Sequence, residues 1–192
     1  MPGTVADLLP LTTERLILRL HRPDDAGWLR RVFMRPDVDR YLLRTWTEED
    51  AAARAAERLA RTDLDGETGA LSLVVEHDGA PVGDLVLWLT DAEHRVAEIG
   101  WVIDPEHSGR GFARESVAAL LDLAFEHCRL HRVAAQMDAR NTRSARLAES
   151  VGMRQEAFLR QDCWNKGEWT DTLIFGMLES DRASVSGASR RE

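Results

Sequence analysis

The feature that most constrains this chain is a pair of glycines, Gly109 and Gly111, set between a strand-like run and a helix-like run. Val96-Ala-Glu-Ile-Gly-Trp-Val-Ile103 is apolar and β-branched enough for a central strand, and Asp104-Pro105 stops it. From Glu115 to Cys128, Val117, Leu120, Leu121, Ala124 and Phe125 share one helical face. The loop between them, Ser108-Gly109-Arg110-Gly111-Phe112-Ala113, therefore ends at a helix start. Glycines let successive backbone amides close on one anion, and the helix N-terminus adds partial positive charge at the same place. The loop reads as a diphosphate cradle, although glycines at a helix start also serve as plain turn residues. It lacks the GK[ST] of a nucleoside-triphosphate loop, and Arg114 stands where a dinucleotide motif would carry its third glycine.

The elements around the loop follow from hydrophobic period and turn chemistry. Thr13–Leu20 alternates apolar and charged residues as a first strand, and Ala26–Met34 has helical spacing after an Asp cap. Thr47 and three acids precede a second helix, Ala51–Arg61. Ala70–His77 and Val82–Leu89 flank Asp78-Gly79-Ala80-Pro81 as a hairpin. Arg132–Met137 reads as a strand, and Asn141 opens a short helix that Gly152 ends. A last hairpin turns at Asn165-Lys166-Gly167 before Trp169–Leu178. The order is mixed, so the class is α/β (α+β) with a mixed sheet. One domain is expected over residues 11–179, with flexible termini at 1–10 and 180–192.

Composition narrows the function classes. A formal net charge of −8 gives no whole-protein basic field, so neither nucleic acid nor an anionic membrane is an expected partner. No apolar run approaches the roughly 20 residues of a membrane span and no leader pattern opens the chain, so a cytoplasmic location is expected. Cys128 and Cys163 have neither CxxC spacing nor a nearby His pattern, so no metal is expected and both read as small hydrophobes.

Glu106-His-Ser-Gly-Arg-Gly111, with the strand before it and the helix after it, resembles the acetyl-CoA motif [QR]-x-x-G-x-[GA] of the GNAT N-acetyltransferase superfamily. The first position departs, being Glu106. Asn141-Thr-Arg-Ser144 with Leu147–Met153 resembles that family's later N-x-x-S…G-[FM] motif. Thr13-Glu-Arg-Leu-Ile-Leu-Arg19 and Gly167-Glu-Trp-Thr-Asp-Thr172 look like the RimJ/RimL-type branch, which acetylates N-terminal amines of ribosomal proteins.

The resemblance implies a mostly antiparallel seven-stranded sheet flanked by about four helices, with the strands Val96–Ile103 and Arg132–Met137 splayed around a pantetheine arm. It implies acetyl-CoA, or another acyl-CoA such as succinyl-CoA, as cosubstrate, and a primary amine as acceptor, either a protein N-terminus or a small molecule. Backbone groups of Trp101, Val102 and Ile103 would pair with the arm as an added strand does. Ser108 and the amides of Gly109, Arg110, Gly111, Phe112, Ala113 and Arg114 would hold the pyrophosphate. Asn141 would bond the pantetheine, or cap its helix, or both. Arg110, Arg114, Arg140, Arg143 and Arg146 concentrate positive charge near the two motifs, with Arg146 a candidate phosphate contact. A homodimer is compatible with the family.

Direct acyl transfer needs a neutral amine, a stabilised oxyanion and a proton for the departing thiolate. The amide of Val102 would polarise the thioester. Many members protonate the thiolate with a tyrosine on the last helix, but the chain's one tyrosine is Tyr41, so Ser144 is the candidate acid, with helix capping as its alternative role. Glu98 shares a face with Gly100 and Val102 and is the candidate base, or else a strand carboxylate paired with an arginine; Asp138 and Glu76 are weaker candidates. Core packing is the expected role for most of the tryptophans, with Trp46 and Trp164 best placed to line an acceptor pocket instead. A non-catalytic acyl-CoA sensor with the same cradle remains open.

Overall fold

The computed structural model describes residues 5–182. Its strands are β1 (Leu11–Thr12), β2 (Ile17–Leu20), β3 (Thr62–Asp63), β4 (Ala70–His77), β5 (Ala80–Asp91), β6 (Val96–Ile103), β7 (Arg132–Asp138), β8 (Arg154–Asn165) and β9 (Glu168–Leu178). The helices are α1 (Ala26–Phe33), α2 (Pro36–Asp39), α3 (Ala51–Ala60), α4 (Phe112–Asp122) and α5 (Thr142–Ser150). The strands make one sheet in the order β1-β2-β4-β5-β6-β7-β9-β8, with β3 paired to β4. Every neighbour pair is antiparallel except β6–β7. The expected mixed, mostly antiparallel sheet is present, and its seven longer strands are joined by two that span only two residues, β1 and β3.

Period-two alternation sorts the sheet into two faces. Leu71, Leu73 and Val75 of β4, Leu85 and Leu87 of β5, Ala97 and Ile99 of β6, and Val133 and Ala135 of β7 pack with α4 and α5 in the larger core. The other face meets a smaller cluster of Trp28, Leu29, Val32 and Phe33 from α1, Trp46, and Ala51 and Ala55 from α3, with Val102 packed against it. This second face also buries charge: Arg19 bonds Asp25 at 2.8 Å and Glu76 at 2.7 Å, while His21 and Arg58 meet Asp84 at 3.0 and 3.2 Å.

Several boundaries differ from the sequence reading, each for a local reason. The expected strand Thr13–Leu20 is a hairpin instead: Thr13 and Arg15 are drawn out of it by bonds to Glu115, and β1 pairs back on β2. Asp78 and Gly79 both take positive φ, +49° and +77°, so a two-residue turn suffices and Ala80 and Pro81 belong to β5. The helix after the glycine loop starts at Phe112 and widens over Leu123–His127 into a π-turn. Gly152 ends α5 at φ +95°, its amide and that of Met153 bonding Glu149 O and Ala148 O. At the termini, Val5–Leu8 forms a 3-10 turn with Val5 buried, and residues 179–182 form a helical turn in which Arg182 bonds Asp122 at 2.7 Å. The remainder of the two expected flexible termini lies outside the described residues.

Candidate active site

β6 runs straight into the glycine loop, and buried contacts hold its start. Asp104, 1% exposed, accepts from the amide of Glu106 at 3.1 Å and the Trp28 indole at 3.3 Å. Gly109 and Gly111 then take φ of +79° and +83°, a region that costs an L-residue roughly 1–2 kcal/mol. Gly111 is the N-cap of α4, and a Cβ there would sit 3.2 Å from Arg15 Nη2. No side chain caps this helix, so its first amides have no intrahelical acceptor, the arrangement in which a helix start can meet an anion. Glu106, at the position where the motif has Gln or Arg, is turned to Arg35 at 3.2 Å.

Arg15 is the loop contact that spacing alone did not identify. Its backbone and Nε bond Glu115 at 2.9 and 2.8 Å, its Nη1 reaches Arg110 O at 2.9 Å, and its guanidinium lies 5.1 Å over the Phe112 ring. Thr13 Oγ1 adds a 2.6 Å bond to the same carboxylate. Burial would raise the Glu115 carboxyl, but the bonds from Thr13 and Arg15 outweigh it and hold it below its usual range. The loop is thus tied to the β1–β2 turn from the far end of the sequence. Thr13 and Arg15 stood in a segment already singled out, but nothing in it named a partner 100 residues away.

The parallel pairing of β6 with β7 covers only Val96↔Arg132, Ala97↔Val133 and Glu98↔Ala134. Beyond it the two strands part while each keeps its other neighbour, β5 for β6 and β9 for β7. The gap opens along Ile99–Ile103 and leads toward the glycine loop.

Glu98 sits at the closed end of this gap, half-buried, accepting from Gln136 Nε2 at 3.1 Å. Burial pushes its carboxyl pKa up, and the Gln136 bond only moderates the rise. The alternative of an arginine partner is not realised. Asp138 behaves oppositely: hydrogen bonds from Arg140 hold it below the usual range, and Glu76 is taken by Arg19. Gly100, next on the Glu98 face, leaves room for Val86, whose Cγ1 would lie 3.2 Å from a Cβ there.

Ser144 lies across the gap on α5. Its amide donates to Asn141 Oδ1 at 3.2 Å, so Asn141 does cap the helix, and its Oγ accepts from the Trp101 indole Nε1 at 3.2 Å. By alternation along β6, Trp101 and Glu98 point to opposite faces, so Ser144 and Glu98 flank the parting from opposite sides.

The remaining arginines and tryptophans near the motifs fall into distinct environments. Arg140 is not free for a phosphate, being committed to Asp138 and Glu168 at 2.7 and 2.8 Å. Arg110, Arg114, Arg143 and Arg146 are exposed and make no ion pair among the described residues. Trp46 is core: it is 5% exposed and stacks on Phe33 at 4.4 Å in the smaller cluster. Trp164, 61% exposed, packs edge-on against Trp169 beside the final hairpin turn. Among the described residues, no cluster of three or more His, Cys, Asp or Glu could hold a metal, and no helix is long and apolar enough to cross a membrane.

Residues 15–154 match the family described as the acetyltransferase (GNAT) domain. The chain belongs to the GNAT acetyltransferase family. The acetyltransferase is 30% identical over 174 residues to the uncharacterized N-acetyltransferase p20 of Bacillus licheniformis, a match covering 90% of this chain and 98% of that one. It superposes on the crystal structure of a GNAT-family acetyltransferase from Bacillus anthracis with a TM-score of 0.79 and 28% identity, covering 88% and 98% of the two chains. A second solved structure, RimJ of Mycobacterium smegmatis in complex with CoA-disulfide, gives a TM-score of 0.74 at 25% identity over 90% of this acetyltransferase and 89% of that chain.

Proposed function

We propose that this acetyltransferase transfers an acetyl group from acetyl-CoA directly to a primary amine, with the donor threaded through the β6–β7 gap. The observation that carries the reading is the loss of pairing after Glu98↔Ala134 on a strand that ends at two glycines in positive φ. Such a gap offers strand-edge backbone to a pantetheine arm, and the uncapped start of α4 offers amides to a diphosphate. The residues that would serve are the backbones of Trp101, Val102 and Ile103 for the arm, and Ser108 with Gly109–Arg114 for the diphosphate. Arg146 would meet a phosphate, and the amide nitrogen of Asn141, whose oxygen caps α5, would face the pantetheine. The CoA-disulfide bound to the Mycobacterium smegmatis relative supports this donor.

Glu98, or a water it orders, takes the amine proton, and its burial-raised pKa suits that task. The amine nitrogen bonds to the thioester carbon while the amide of Val102 steadies the oxyanion. The C–S bond then breaks, sulfur leaves with the electron pair and takes the Ser144 proton, and the proton held by Glu98 restores the Ser144 hydroxyl through solvent. The acceptor on this reading is a protein N-terminal α-amine, as in the RimJ/RimL branch, or a small amine. An α-amine with a pKa of about 7.7–8.0 is appreciably neutral near pH 7.5, whereas a lysine near about 10.4 leaves far more work to the base. The same reading places the enzyme in the cytoplasm as a single domain, with a homodimer as its compatible assembly.

The test is release of free thiol from acetyl-CoA and from succinyl-CoA with a panel of peptides and small amines. Acceptor-dependent release is the expected outcome. CoA binding without release for any acceptor would instead identify a sensor. Faster release from succinyl-CoA would replace the acyl group assigned here.

A further inference from the structure

Ser144 is a weak acid for its proposed task, because a serine hydroxyl holds its proton far more tightly than a thiol does. The structure places one group against its oxygen. The Trp101 indole N–H donates to Ser144 Oγ at 3.2 Å. Trp101 stands on β6 three residues past the last pair with β7, and Ser144 stands on the helix that follows β7. The bond therefore spans the parted strands on the α4/α5 side. Resting on the function proposed above, we infer that the Trp101 side chain is a positioning residue that readies Ser144 as proton donor to the departing sulfur.

Three features of the arrangement support this. An indole nitrogen can only donate, so it fills a lone pair of Oγ and leaves the hydroxyl's own proton for another acceptor. The backbone of Ser144 is fixed separately by the Asn141 cap, at 3.2 Å, so the hydroxyl is not needed to hold the helix start. The half-buried Trp101 ring also packs against the larger core, which fixes the direction of its N–H. As sulfur takes the Ser144 proton, negative charge grows on Oγ, and a bond from a neutral donor to a charged acceptor is the stronger kind. The indole thus bonds the oxygen more tightly in the transition state than in the resting enzyme. Such differential bonding raises turnover without raising affinity for the donor.

The experiment is a double-mutant cycle of Trp101→Phe, which keeps an aromatic ring and removes the N–H, with Ser144→Ala, reading kcat with a reactive amine and CoA dissociation by calorimetry. Trp101→Phe is expected to lower kcat about tenfold, the worth of a hydrogen bond to a charged group, with CoA affinity unchanged. In the Ser144→Ala background the same change should cost nothing further. An equal loss in both backgrounds, an unchanged kcat, or a loss explained by weaker CoA binding would overturn the inference while leaving Ser144 as the acid. An unchanged rate in Ser144→Ala alone would instead remove the acid assignment itself, and the inference with it.

Discussion

The two faces of β6 are built from neighbouring residues and do opposite jobs. Ala97, Ile99 and Trp101 look into an apolar core closed by α4 and α5. Glu98, Gly100 and Val102 look toward α1 and α3, on the side where Arg19, His21, Asp25, Ser72 and Asp84 are buried. On the first face the hydrophobic effect holds the strand rigid. On the second, polar groups are held by partners, and a carboxylate can stay half-buried with only an amide beside it. The contrast teaches why a half-buried carboxyl stands on one side of the gap and an apolar wall, broken by the Trp101–Ser144 bond, on the other.

The comparison breaks most readily on the apolar face. Ile99→Ala should destabilise the fold by about 2–5 kcal/mol, as buried truncations do, while the folded fraction keeps its turnover; chemical denaturation with an assay of the refolded enzyme checks both. If stability barely changed, the apolar face would not be what holds β6.

Glu98→Gln sharpens the other face. It should lower kcat on the order of a hundredfold, the lower range for a general base, with CoA affinity retained. In the wild type, kcat/KM should climb with pH through the raised Glu98 pKa, and the variant should lose that limb. The stability effect has the opposite sign. Because burial raises the folded-state pKa, the folded chain keeps the proton after the unfolded chain has released it. Stability from this group is therefore present below the ordinary value of 4.5 and is lost as pH rises through the raised pKa. The glutamine variant should be flat across that window in pH-dependent unfolding.

A smaller effect is expected at the loop's clamp. Arg15→Met removes the bonds to Glu115 and Arg110 and should weaken acetyl-CoA binding about tenfold, measured by calorimetry, with kcat at saturating donor nearly intact. A fall in kcat at unchanged affinity would place Arg15 in the chemistry rather than in the shape of the loop. The smallest change belongs to the exposed hairpin, where Trp164→Ala should stay within about 0.5 kcal/mol of the parent in thermal unfolding.

Where the chemistry rests on local backbone, it was legible in the sequence. Gly109 and Gly111 marked the left-handed turns, Asn141 marked the α5 cap, and Val96–Ile103 matched its strand end for end. Where it rests on meetings between distant segments, it was not. No period or motif places Arg15 against Glu115, gives Glu98 an amide neighbour in Gln136, sends Arg140 to Asp138 and Glu168, or buries Trp46 against Phe33.

The sequence by itself determined the glycine loop, because a positive φ and an uncapped helix start are properties of a few adjacent residues. Only the tertiary structure decided which partners each side chain near that loop meets, because burial and partners set a carboxylate's pKa and a hydroxyl's free lone pairs. Both depend on strands that meet after folding.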